Sequence, residues 1–255
     1  MENIKYPYPG ATNAAAYEWL NRCTDPERKV ETFIAKIMPW KRKTVLDIGA
    51  GSGFHSAWFA QVAERVIAVE PDPRLRRQLF ARLAQSPDWQ VSVLAASAES
   101  IPLPDRCVDL AYARFAYFFG TPECLPGLAE VMRLLLPGGH FFVIDAIPEW
   151  GEWGRLTAKA YPKIFHRNYH ADQTAFYQAH GFSVYRIETV FRAPNKKVLN
   201  AVFKMDFPHV WKELVRVVDS LELSYGIAVF YRRKIDRKPN QASQRIAHPR
   251  RVQLS

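Results

Sequence analysis

Cysteine is scarce and scattered: Cys23, Cys107 and Cys124 are the three in 255 residues. Odd in number, widely spaced and without a CxxC pair, they argue against a disulfide framework and give no zinc signature. Three free thiols and no bound metal are expected. Long apolar runs are missing as well. Nothing approaches the roughly 18 uninterrupted apolar residues of a membrane span. The opening MENIKYPYPG lacks the basic-then-apolar order of a secretory signal, so a cytoplasmic protein without a membrane span is expected. Internal repeats are lacking too.

A balanced charge is the next absence, for the chain carries +10. The excess is uneven. From Arg232 onward eight Lys/Arg face one acid, Asp236, so the last 24 residues supply +7 and the preceding 231 only +3. That basic extension, 232–255, is polar and without apolar period, and reads as a disordered tail. A nearly neutral body makes a nucleic-acid partner unexpected. With 48% apolar residues, the body has ample material for one large core.

What is present alternates. Asp25-Pro26-Glu27 reads as a helix start, and Val30, Phe33, Ile34 and Ile37 then give one apolar face ending near Pro39. From Thr44 on, the apolar runs at 45–48, 66–69, 91–94, 108–111 and 141–144 read as strands buried on both faces of a parallel sheet. Leu75, Leu79 and Leu83 mark a helix between them. A further helix from Thr121-Pro122-Glu123 carries Leu125, Leu128, Met132 and Leu135 and stops at Pro137-Gly138-Gly139. Later come a helix at 172–180, a strand at 183–191 and a last strand at 227–231. An amphipathic helix on Trp211, Leu214, Val218 and Leu221 lies before that strand. The prediction is an α/β domain with a doubly wound, mostly parallel seven-stranded sheet. It divides into an N-terminal helical segment or lid (1–43), the main domain (44–231) and the tail. The long insertion at 192–226 suggests a lid or interface.

One motif carries chemistry. Asp47-Ile48-Gly49-Ala50-Gly51-Ser52-Gly53 stands between the first strand and a helix. Alternating glycines let the backbone turn sharply and approach a ligand with its N–H groups. Phe54 occupies the place of the third glycine of the dinucleotide fingerprint, which disfavours NAD and FAD. No Gly-Lys-Ser/Thr follows, so a P-loop is excluded. Glu70 lies 21 residues past Gly49, at the end of the second strand, where a carboxylate can accept both hydroxyls of a ribose.

Downstream stands Ala98-Glu99-Ser100-Ile101-Pro102-Leu103-Pro104-Asp105, followed by Val108-Asp109 and later by Leu135-Leu136-Pro137-Gly138-Gly139. With the glycine loop, this order resembles the class I S-adenosylmethionine (SAM)-dependent methyltransferases. The closest likeness is the small-molecule branch of the ubiquinone and menaquinone C-methyltransferases. It runs from Thr44 to Ala146 and does not reach a substrate. The resemblance implies a Rossmann-like methyltransferase fold and SAM as cofactor, with S-adenosylhomocysteine (SAH) as product. It places Asp47, Gly49, Gly51 and Gly53 at the methionine end, Glu70 on the ribose, and Pro71 and Asp72 beside the adenine. Ser97, Ala98 and Glu99 would face the adenine edge, with serine where relatives often carry aspartate. Arg114 and Phe115 would lie beside the sulfonium and the acceptor.

Methyl transfer from a sulfonium is an in-line displacement that needs a general base only when the nucleophile must lose a proton. Asp145, at the end of the fifth strand, and His166, in the loop beyond it, are the candidates. His55, His140, His170 and Tyr117 stand behind them. Aromatics cluster at Phe115, Tyr117, Phe118 and Phe119 and at Trp150 and Trp153, near the edge where a planar or apolar substrate would pack. The expected activity is methyl transfer to a small organic acceptor by a monomer or homodimer. The alternatives are an RNA or protein methyltransferase, and a SAM-binding partner subunit without activity.

Overall fold

The computed structural model describes residues 12–235. The expected tail, 232–255, lies outside the described residues from 236 onward, and its first two residues, Arg232 and Arg233, instead belong to the last strand, paired with Phe141 and His140. Seven strands form one sheet: β1 (Thr44–Ile48), β2 (Arg65–Val69), β3 (Val91–Leu94), β4 (Val108–Arg114), β5 (Leu135–Ala146), β6 (Ser183–Arg192) and β7 (Glu222–Arg233), in the order β3-β2-β1-β4-β5-β7-β6. The first five run parallel, and β7 is antiparallel to both β5 and β6. The strand order reverses between β1 and β4. In such sheets that switch point opens the crevice where ligands bind.

The strands are apolar on both faces because both are covered. Val45, Leu110, Tyr112, Phe142 and Ile144 point to one side. There they meet α1 (Ala14–Cys23), α2 (Lys29–Ile37), α3 (Phe54–Ala60), α6 (Gly151–Ala160) and α8 (Lys196–Asp206), through Cys23, Val30, Ile34, Phe59, Trp153, Val202 and Phe203. Leu46, Ile48, Ala111, Phe141 and Val143 point to the other, against Leu128, Val131 and Leu134 of α5 (Leu125–Leu134) and Tyr177 of α7 (Tyr169–Ala179). The helix on Leu75 and Leu79 is α4 (Pro73–Leu83), capped by Asp72, which accepts from the Arg74 N–H at 2.7 Å.

Several boundaries differ from the sequence reading. The helix expected from Asp25 begins four residues later, because Asp25 adopts a left-handed turn (φ 54°). Its carboxylate still caps the helix, accepting from Val30 N–H at 2.9 Å and from the Thr189 hydroxyl of β6 at 2.6 Å. The helix carrying Leu128 ends at Leu134, and Leu135 already pairs with Val108 as the start of β5. Pro137-Gly138-Gly139 is a bulge inside that strand, where the register against β4 shifts, stitched to the end of β7 by Gly138 N–H to Lys234 O and Lys234 N–H to Gly139 O, both 2.8 Å. The 192–226 insertion holds two helices rather than one: α8 and α9 (Trp211–Val217), with Val218 and Leu221 beyond the latter. Among the described residues no helix is long and apolar enough to cross a membrane.

The Asp25 cap joins segments 164 residues apart. Its replacement in Asp25→Ala strands a buried N–H and hydroxyl. A loss of about 2–3 kcal/mol is expected, the scale of hydrogen bonds to a charged group. Urea unfolding should show a lower midpoint at unchanged slope; an unmoved midpoint contradicts the role.

Candidate functional site

At the C-terminal end of β1 the chain turns through Gly49, Gly51 and Gly53, with φ of 70°, 58° and 75°. L-residues rarely adopt this region, and space forbids them here too. A Cβ on Gly49 would come 2.4 Å from Ala116 Cβ, and one on Gly51 2.4 Å from the Tyr17 hydroxyl. The loop is tied to the neighbouring strand by Gly49 and Ala50 N–H, which both donate to Val69 O at 2.8 and 3.0 Å. Asp47 closes its base, buried and accepting from the Ser56 hydroxyl of α3 at 2.5 Å. Burial, aided by the nearby Glu70 carboxylate, pushes Asp47 up to about 7.

Glu70, buried at the end of β2, faces this loop. Its Oε2 accepts from Gly51 N–H and its Oε1 from Asp72 N–H, each at 2.8 Å. Burial raises its pKa, and each oxygen keeps a further lone pair for a hydroxyl. Pro71 is exposed and Asp72 half-buried at the rim. Beyond β3, Ser97 is exposed and Glu99 half-buried, while Ala98 packs into the core beside Ile101. Loop, carboxylate and rim thus form one cradle at the switch point, with left-handed glycines and an inward-facing acid. It suits a nucleoside with a charged tail.

The individual contacts over this cradle were not legible in the sequence. Tyr17 of α1 lies over Gly51. Glu18, one residue on, forms an ion pair with Arg82, whose Nε donates to Ser52 O at 2.9 Å. On the other side, Arg114 is buried and pairs with Glu31 of α2 at 3.1 Å, and His55 Nε2 lies 3.4 Å from the same Glu31 oxygen. Phe115 and Tyr117 both adopt φ 51°, and Phe115 faces Tyr225 with ring centroids 6.4 Å apart. Glu31 had no local signal, since its partner stands 83 residues away.

Of the two expected bases, Asp145 is buried and His166 is not. Asp145 Oδ2 accepts from the Tyr169 hydroxyl at 2.9 Å and Gln173 Nε2 at 2.6 Å, and Oδ1 from Ala146 N–H at 2.8 Å. Burial pushes it up to about 6. His166 is 55% exposed and 3.9 Å from Asp172. Tyr169 stands between the two, its ring centroid 6.0 Å from that of His166. Trp153 and Phe118 belong to the core, stacked on Phe191 at 4.0 Å and set edge-on to Phe141 at 5.0 Å. Trp150 lines a separate cavity of about 310 Å³ beside His170 and Arg186.

Residues 46–143 match the family described as a methyltransferase domain. The chain is 31% identical over 118 residues to the ubiquinone/menaquinone biosynthesis C-methyltransferase UbiE of Acidiphilium cryptum, covering 44% of this chain and 46% of that one. It is 37% identical over 119 residues to a dimethylglycine N-methyltransferase of Parasynechococcus marenigrum (44% and 41%), and 30% over 131 to a tRNA U34 carboxymethyltransferase of Methylococcus capsulatus (51% and 39%). The match thus spans less than half the length of each relative. Among solved structures, a SAM-dependent methyltransferase from Aquifex aeolicus aligns over 85% of this chain and 97% of that one, at 19% identity and a TM-score of 0.56. Residues 46–143 thus match a methyltransferase-domain family, and the sheet shares its fold with a solved SAM-dependent methyltransferase.

Two outcomes follow from the cradle. Glu70→Ala frees the Gly51 and Asp72 N–H groups and removes the carboxylate that the resemblance assigns to the ribose. SAH affinity, read by calorimetry, should fall by about 1.5–3 kcal/mol, and unchanged affinity would contradict the assignment. Asp47 has a folded pKa above its unfolded value of about 3.9. Its contribution to stability is therefore full below about pH 4 and is lost as pH rises toward 7. Asp47→Asn should flatten the decline of stability between pH 4 and 7; parallel profiles for the two proteins would contradict the shift.

Proposed function

We propose that this protein transfers the methyl group of SAM to a small organic acceptor by in-line displacement. The observation that carries the reading is the cradle itself: three left-handed glycines and the Glu70 carboxylate meet at the switch point, under α1. SAM bound there supplies an electrophilic methyl on a sulfonium. The rest is positioning. Orientation of reacting groups is worth up to about 7–11 kcal/mol, and the buried Asp47–Ser56 pair and the Glu70 bonds hold the loop that would set it. Gly49, Gly51 and Gly53 would take the methionine end; Glu70 the ribose; Pro71, Asp72, Ser97, Ala98 and Glu99 the adenine side. Arg114 and Phe115 would border the acceptor.

A small acceptor is favoured by the near-neutral body of the chain and by the enclosure of the loop under Tyr17 and Glu18. The N-terminal segment and the 192–226 insertion act as the lid, excluding water from the reacting atoms. UbiE and the dimethylglycine enzyme support the same reading by name. Where the nucleophile must lose a proton, Asp145 or His166 takes it. Asp145 is the stronger base site, since it sits at the strand end where ligands bind and burial pushes its carboxyl up to about 6.

Incubation with methyl-labelled SAM and fractionated cell extract tests the proposal. Label should appear in small metabolites. Label confined to RNA, lost on nuclease treatment and falling steeply with salt, would replace this reading with the activity that the tRNA relative's name suggests. SAH binding with no label anywhere would indicate a non-catalytic subunit. With the acceptor found, Asp145→Asn should slow turnover by about 10²–10⁴ at nearly unchanged SAH affinity; full turnover in that variant and in His166→Ala excludes both as the base.

A further inference from the structure

Glu31 is 4% exposed, on the first turn of α2. Its Oε1 is shared by Arg114 and His55. Its Oε2 is buried without a hydrogen-bond partner. A guanidinium can grip both oxygens of a carboxylate in a fork, yet Arg114 meets only one. A bare buried carboxylate oxygen costs on the order of 1–3 kcal/mol or more, and nothing in the fold of α2 requires it.

Beside this cluster lies a cavity of about 90 Å³, lined by Glu31, His55, Arg114, Phe54, Asp25 and Arg28 among others. A water needs only about 10–15 Å³ by the same measure, so there is room for several heavy atoms. The charges lining it are mostly committed. Asp25 holds Val30 and Thr189, and Arg114 is neutralised by Glu31. Burial, with Arg114 and Arg28 adding to it, holds His55 down to about 4, so the ring is neutral at physiological pH. Arg28 differs. It is exposed, lies 5.4 Å over the Trp58 ring and has no ion-pair partner among the described residues.

Among its lining residues the cavity therefore has one cation without an ion-pair partner, Arg28, and one buried acceptor without a hydrogen bond, Oε2 of Glu31. Phe54 and His55, the first two residues of α3 directly after the glycine loop, and Arg114, the last residue of β4, place it next to the cradle. We infer that it is the acceptor subsite and takes small carboxylic acids bearing an O–H or N–H donor, hydroxy acids or amino acids, with the carboxylate at Arg28 and the donor on Glu31 Oε2. This assignment rests on the methyltransferase reading, which names an acceptor without its class.

The test begins by measuring SAH binding to the full chain, since its absence would overturn the methyltransferase reading itself. On SAH-saturated protein, glycolate, lactate, glycine and alanine are then compared with acetate and methylamine, which each carry one half of the pattern. At least one bifunctional acid should bind tenfold or more tightly than either half. Arg28→Met, a surface change that leaves the Glu31–Arg114 pair intact, should lower that affinity at least tenfold without altering SAH affinity or melting temperature. Glu31→Gln should erase the preference over acetate, but it also strips Arg114 of its counter-charge and can cost the fold, so Arg28→Met decides. SAH binding with no preference for the bifunctional acids, or a preference indifferent to Arg28→Met, overturns this inference and leaves the methyltransferase reading standing.

Discussion

Two chain reversals meet on one carboxylate. Glu70 ends β2, takes the N–H of Gly51 from the loop after β1 and the N–H of Asp72 from the turn into α4. Without it, a loop of left-handed glycines would have little to hold its shape, because glycine supplies freedom and no side-chain contacts. The carboxylate converts that freedom into a fixed cradle. Its burial has a cost, seen in the raised pKa of Glu70; Asp47, pushed up by its own burial, is raised further by the Glu70 charge. Such perturbed groups gather at functional sites, and here both border the switch point of the sheet.

Around that cradle charged side chains, buried or partly buried, make the long-range closures. Asp25 with Thr189, Glu31 with Arg114, and Glu18 with Arg82 span 164, 83 and 64 residues. Each fastens the N-terminal helices to a different part of the domain: β6, the end of β4, and α4 behind the glycine loop. The N-terminal segment is thus part of the core, with Cys23, Val30 and Ile34 packed among Trp153, Phe191 and Val202. Its position over Gly51 fits a cover that closes a site rather than an appendage.

The local patterns were legible. The glycine loop, Glu70 and the apolar strands from 45 to 144 all announce themselves within a few residues. The first of the insertion helices had its signal as well. Asn195 caps α8 by accepting from Val198 N–H at 3.0 Å, and Val198, Leu199, Val202 and Phe203 recur at helical spacing. By contrast α6 begins with Gly151 and contains Gly154, poor helix formers by propensity. They stand there because Cβ atoms would come within 2.5 Å of Ser224 O and 2.6 Å of Ile147 O. Left-handed Phe115 and Tyr117 leave no trace in sequence, nor does a Glu31–Arg114 pair made by tertiary packing. Asp145 was found by its place at a strand end; its three donors, two of them from α7, were not.

The central claim is that the loop at 49–53 and the turn at 70–72 seat the nucleoside of SAM. Hydrogen exchange of the full chain with and without SAH tests it most directly. Amides of both segments should slow markedly on SAH addition, while the β6–β7 edge, remote from the switch point, should exchange as before. Bound SAH that leaves those two segments unprotected, or protects another part of the sheet instead, would contradict the account.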